Sequence, residues 1–229
     1  MEIFLYFIRG QFFKLDNPTI GGFRGDAWDL LDRVVEWCER HEIYIVWDLH
    51  GAVGSQSTAE TTGQANRNEF FSNNQYQSIT AWLWWQIANR YTRYNSVAGY
   101  DLLNEPDPRW NPTPAHTGGW SDGDTKAIWN VYKWFYESVR SVSDQIIFVE
   151  GTYNDWDWNV LPHPNTYGWT NVVYSFHEYQ WPTTNSVENI KRGVDNQIND
   201  FNNHADWNVP GFINEWNGFK GYSDTFGYA

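Results

Sequence analysis

Val97-Ala98-Gly99-Tyr100-Asp101-Leu102-Leu103 is a short apolar run that stops at Asn104-Glu105-Pro106. Being apolar on both faces, it reads as a strand buried on both sides in a parallel sheet. Pro106 has no N–H to give the ladder, so the strand has to end there. Asn104 and Glu105 are therefore expected at the carboxyl end of a buried strand, where ligands bind in α/β sheets and barrels. A strand-ending glutamate can equally be a solvated one, so Glu105 alone decides nothing.

The pattern recurs along the chain. Strands are read over residues 3–8, 43–49, 146–149, 172–176 and 211–214. Helices are read between them. Asp26 is read as the cap of a helix over 27–41 with Trp28, Leu31, Val34, Val35 and Cys38 at helical spacing. Further helices are read over 76–91, from Asp124 through Val139, and after the cap Ser186 with Ile190, Val194, Ile198 and Phe201 as one stripe. The segments 10–25, 51–74, 107–123 and 153–169 read as loops, and the long polar one over 51–74 is of the kind that carries function. No linker or repeat divides the chain, so one domain over residues 1–229 is expected. Unbroken alternation of strand and helix is the pattern of a parallel α/β fold. Five successive strands end in His50, Glu105, Glu150, His177 and Glu215. Titratable groups at the same end of consecutive strands converge only if the sheet curls, which points to a barrel rather than an open sheet.

Composition narrows the ligand. The formal net charge is −13 with only 15 basic residues and no basic run, which argues against nucleic acid and anionic membrane surfaces. Aromatic residues make up 19% of the chain, with 16 Trp, more than packing needs. Surplus Trp and Tyr suit flat amphipathic ligands such as sugar rings, although many of them must serve the core. The lone Cys38 forms no internal disulfide and reads as a buried small hydrophobe. The apolar run 3–8 is too short for a membrane span and lacks the basic flank of a signal peptide.

Two carboxylates at strand ends suit glycoside hydrolysis, in which one protonates the leaving oxygen and the other attacks the anomeric carbon or activates water. Glu105 and Glu215 can face each other only across a closed or nearly closed barrel. His50 and His177 are candidates to hydrogen-bond these carboxylates or sugar hydroxyls, with a satisfied structural histidine as the commoner alternative for each. Tyr179 is a candidate donor to Glu215, and Asn104 a candidate to hold a hydroxyl beside the reacting carbon. Glu150 reads as structural or solvated at the rim. No HExxH, phosphate loop, GxGxxG or GxSxG occurs, and no spacing supports a metal site. No cofactor and no metal are therefore called for.

These residues resemble glycoside hydrolase family 5. Asp48-Leu49-His50-Gly51-Ala52-Val53-Gly54-Ser55-Gln56 is similar to its third-strand signature, and Leu103-Asn104-Glu105-Pro106 to its fourth. Ser175-Phe176-His177-Glu178-Tyr179 resembles the sixth-strand His-x-Tyr, and Ile213-Asn214-Glu215-Trp216 sits where the seventh-strand nucleophile belongs. The resemblance implies a TIM barrel and a retaining mechanism, with Glu105 as acid/base and Glu215 as nucleophile. It implies supporting roles for Asn104, His50, His177 and Tyr179, and carboxyls about 5 Å apart. It also implies β-glucan or β-mannan as substrate and action outside the cell. Trp110, Trp120, Trp156, Trp158, Trp181 and Trp216 lie on or near strand-end loops as candidate sugar platforms.

The sequence departs from the family pattern at its ends. A full barrel takes roughly 31 residues per unit, but 42 residues precede Ile43 and 14 follow Glu215. Phe7-Ile8-Arg9-Gly10 is a weak match to the second strand and its arginine. The expected fold is thus an incomplete (β/α)8 TIM-barrel-like α/β fold with about six βα units. Its open edges are expected to be covered by a second copy, a swapped segment or a rearranged terminus, hence a homo-oligomer. The expected activity is a retaining endo-β-1,4-glucanase. Exo-β-1,3-glucanase, which Gly-Ala-x-Gly-Ser-Gln also resembles, and an inactive barrel that only binds glucan are the alternatives.

Overall fold

A computed structural model describes residues 3–8, 22, 26–62, 65–109, 121–151, 160–179 and 186–216. Six strands follow one another in chain order as one sheet: β1 (Ile3–Ile8), β2 (Tyr44–Leu49), β3 (Val97–Asp101), β4 (Ile146–Glu150), β5 (Val172–Glu178) and β6 (Gly211–Trp216). Every neighbouring pair is parallel. Parallel neighbours need a crossover, and four helices belong to these connections: α1 (Ala27–His41), α2 (Asn74–Tyr91), α3 (Asp122–Arg140) and α4 (Val187–Asn203). No helix among the described residues is long and apolar enough to cross a membrane.

The helix starts follow from side-chain caps. Asn73 accepts from Gln75 and Tyr76 N–H, and Ser186 from Asn189 N–H. Ser121 and Asp124 form a reciprocal capping box, so α3 begins two residues before the expected Asp124. Asp26 corrects the expectation for α1, because its side chain makes no capping bond.

Alternate strand residues take different jobs. Ile45, Trp47, Leu49, Tyr100, Ile147, Val149, Tyr174 and Phe176 join α1–α3 residues such as Leu31, Val35, Trp84, Ile87, Tyr132 and Phe135 in the main core. The intervening side chains Asp48, Asp101, Phe148, Glu150, Ser175 and His177 turn to the other face. That face is concave. β2 and β6 are four strand steps apart, which in a flat sheet is ~19 Å. Yet His50 Nδ1, just beyond β2, lies 4.0 Å from Glu215 Oε1 on β6. Asn214 Nδ2 on β6 donates to Asp101 Oδ2 on β3 at 2.9 Å. The sheet is therefore curled as in an incomplete (β/α)8 barrel, in agreement with the expected architecture.

The stripe expected of α4 is covered only in part: Phe201 packs on Phe176 and the core. Val194 and Ile198 are exposed, and the only buried α4 residue is Gln197. Trp216, at the end of the edge strand β6, is 67% exposed.

Two irregularities shape the concave face. Between β5 and β6 the register steps from Phe176↔Ile213 to His177↔Glu215, so Asn214 is an extra residue. The bulge lets both Asn214 and Glu215 reach inward on one strand. At Gly99 a Cβ would stand 2.4 Å from the Ile146 carbonyl oxygen and 2.9 Å from Phe148 Cε2. Gly99 is the register partner of Ile146, so relief would require parting β3 from β4. Gly99→Ala is expected to destabilise the fold by about 1–3 kcal/mol, measured by urea unfolding.

Candidate active site

The candidate residues stand at the carboxyl ends of β2 to β6, and the curl gathers them. Glu105 lies just beyond β3 with φ +44°, a left-handed conformation that costs an ordinary residue about 1–3 kcal/mol. That turn takes its side chain out of the strand's alternation. Its backbone N–H donates to Glu150 Oε1 at 2.7 Å, while Asn104 N–H still bonds Leu49 O of β2 at 3.1 Å. Glu105 Oε1 is 3.0 Å from His177 Nδ1, and Oε2 accepts from Thr61 Oγ1 at 2.7 Å.

Glu215 meets the same histidine from the other side, with Oε2 3.5 Å from His177 Nδ1. Tyr179 Oη donates to Glu215 Oε2 at 2.5 Å. Burial first, then the Glu215 carboxylate, holds the Tyr179 hydroxyl in its protonated, donating form. One carboxylate oxygen each of Glu105 and Glu215 and a ring nitrogen of His177 all lie within 4.8 Å of one another. Asp48, His50 and Glu215 form a second such trio. Carboxylates and imidazoles are also the donor types that hold divalent metals. Here the hydrogen bonds among them account for the arrangement, with His50 Nδ1 3.0 Å from Asp48 Oδ2.

Asn104 is 1% exposed, and neither atom of its amide has a hydrogen-bond partner among the described residues. A buried amide left open in this way costs about 1–3 kcal/mol unless something else satisfies it. Gln56 secures the backbone on either side, accepting from Ala52 N–H and donating to Asn104 O at 2.7 Å. Gly54, at φ +86°, lets the 51–62 loop fold under Tyr76, whose ring a Cβ would meet at 2.4 Å.

The structure brings Glu105, Glu215, His50, His177 and Tyr179 into one cluster, with Asn104 adjoining Glu105 in the chain. Trp216 ends β6 beside Glu215. Trp181, Trp110, Trp120, Trp156, Trp158 and the arginine candidate Arg9 lie outside the described residues. Of the two readings of Glu150, structural or solvated at the rim, the structure favours the first: it is fully buried, and its Oε1 is 3.3 Å from His177 Nε2. Thr61 and Asp101 carry no sequence signal, and Asp48 enters only as the first residue of the third-strand signature. Thr61 reaches Glu105 only through the long loop, and the two aspartates sat inside apolar runs.

The family model for cellulase (glycosyl hydrolase family 5) matches residues 12–225. The chain belongs to glycosyl hydrolase family 5. Among family 5-like relatives, it is 27% identical to a glucan 1,3-beta-glucosidase of Kluyveromyces lactis, over 88% of this chain and 44% of that protein. It is 30% identical to glucan 1,3-beta-glucosidase 2 of Wickerhamomyces anomalus, over 73% of this chain and 36% of that protein. The chain thus spans less than half the length of these curated relatives. Among solved structures, rutinosidase from Aspergillus niger superposes with a TM-score of 0.75 at 16% identity, over 98% of this chain and 63% of that one. That likeness concerns the fold.

The buried acids have a measurable consequence. Burial, then the neighbouring carboxylates, raises Glu150 well above its ordinary 4.5 and Asp101 well above its ordinary 3.8. Both groups hold protons in the fold that the unfolded chain releases, so their contribution to stability is complete below the ordinary values. It is lost as pH rises through the raised ones. Urea unfolding at a series of pH values from about 4 to 8 should show stability falling with rising pH. Asp101→Asn, which cannot ionise, should flatten that slope.

Proposed function

We propose that this chain is the catalytic part of a retaining hydrolase acting on β-glucan, through a glycosyl-enzyme intermediate. The observation that carries the proposal is the approach of Glu105 and Glu215 oxygens to within 4.8 Å. Retaining glycosidases keep their carboxyls about 5–5.5 Å apart, whereas inverting ones leave about 6.5–9.5 Å for a water. In this reading Glu215 attacks the anomeric carbon while Glu105 gives its proton to the departing oxygen. Glu105 then takes a proton from the water that releases the sugar. The Tyr179 hydroxyl orients Glu215, and His177 faces both carboxylates. The open amide of Asn104 is suited to a sugar hydroxyl beside the reacting carbon, and exposed Trp216 to a sugar face.

The family name supports a β-1,4-glucan and an endo mode. The names of the two yeast relatives favour a second reading, an exo-acting β-1,3-glucanase. Action outside the cell belongs to the same proposal. Exposed Val194 and Ile198 on α4 and the place of β6 at the sheet edge among the described residues support self-association, which sedimentation at micromolar concentration would reveal as a dimer or larger species and a stable monomer would refute.

Wild-type protein is expected to release sugar from carboxymethylcellulose or laminarin and to turn over an aryl β-glucoside with retention. Glu105→Gln and Glu215→Gln should each lower kcat by at least about a hundredfold with folding intact by circular dichroism. Binding of glucan with no turnover by wild type would instead favour a binding module.

A further inference from the structure

Glu150 is a titratable group that the proposed mechanism leaves unused, and like Asp101 and His177 it is wholly enclosed. Its carboxyl is fully buried beneath both reacting glutamates. Oε1 accepts the Glu105 backbone N–H at 2.7 Å and lies 3.3 Å from His177 Nε2. Oε2 is buried with no hydrogen-bond partner among the described residues. The α3 residue Tyr132 fixes the strand end by donating its hydroxyl to Glu150 O at 2.8 Å.

We propose that Glu150 is a positioning residue that carries a proton. Its Oε1 accepts the Glu105 N–H at 2.7 Å and so pins the left-handed turn that aims the acid/base carboxyl, while its neutral form spares Glu105 a further negative charge beside it. His177 packs between the two glutamates, with Nδ1 3.0 Å from Glu105 Oε1 and Nε2 3.3 Å from Glu150 Oε1. The carboxyls around Glu150 favour its neutral form: Asp48 from β2, Asp101 and Glu105 from β3 and its end, and Glu215 from β6, with His177 from β5 the imidazole beside it. Burial first and then Asp101, Asp48, Glu105 and Glu215 hold its proton on. An ionised Glu150 would add another negative charge to a water-poor interior already holding four other carboxyls. The role acts on the acid/base side of the reaction, because Glu150 touches Glu105 and His177 and not Glu215.

The inference rests on the glycosidase reading, and its test separates the two. Glu150→Gln keeps a neutral group of the same shape whose amide oxygen can accept the Glu105 N–H, whereas Glu150→Ala keeps no acceptor. Substrates with poor and activated aryl leaving groups report on proton donation, since only the poor ones need the acid. For Glu150→Ala, kcat on a poor leaving group is expected to fall roughly a hundredfold, far more than on a dinitrophenyl glycoside, with the pH profile displaced. For Glu150→Gln, kcat and pH profile are expected to stay within about threefold of wild type. Equal losses on both substrates, or a Gln variant as impaired as the Ala variant, would overturn the role. The proton shift of the Glu105 backbone amide reads the same claim without turnover. It should lie downfield in wild type and in Glu150→Gln and move upfield in Glu150→Ala. An unchanged shift in Glu150→Ala would overturn the role even in an inactive protein. Failure of wild type to hydrolyse any glucan, with the amide shift behaving as expected, would count against the glycosidase reading alone.

Discussion

Bending a parallel sheet until non-neighbouring strands touch is the condition on which this site depends. The bond from Asn214 on β6 to Asp101 on β3 crosses three strand steps, and the approach of His50 to Glu215 crosses four. Without the bend the same side chains would line a shallow surface and titrate independently in water. With it, five carboxyls and two imidazoles share one small space of low polarizability. Their described partners are one another, amides and hydroxyls. Desolvation and mutual repulsion then set which of them carry protons.

The consequence is a division of labour among residues of one chemical type. Asp101 and Glu150 sit deepest and stay neutral, serving as hydrogen-bonding members of the wall. Glu105 and Glu215 stand nearer the opening, each with a dedicated hydroxyl, Thr61 for one and Tyr179 for the other. His177 stands between them and is wholly buried, with Nδ1 3.0 Å from Glu105 and 3.5 Å from Glu215. The strained turn at Glu105 is tolerated because its N–H has a strong acceptor directly behind it.

Much of this was legible in the chain itself. Strands buried on both faces show as apolar runs, and all six appeared where the runs lie. Of the helix starts, the cap Ser186 lies where the sequence places it, whereas Asp124 is the third helical residue of a box that Ser121 opens. What the chain hides is what depends on curvature and on breaks in periodicity. Glu150 reads equally as structural or as a rim residue, because nothing local says that the sheet folds over it. Asp48 and Asp101 look like blemishes in apolar strands until the concave face gives them partners. Thr61 has no signature, since a loop of that length can end anywhere. The α4 stripe has helical periodicity, yet periodicity states which residues share a face and not whether a neighbour covers it.

The extra residue at Asn214 also bears on how such a site could be moved or copied. A regular strand offers one side chain in two to the interior, so it could supply the amide or the acid but not both in succession. Grafting these residues onto an unkinked strand would send the acid into the layer of helices. The local misfit between two ladders is thus an inherited part of the chemistry, as much as the side chains it aims.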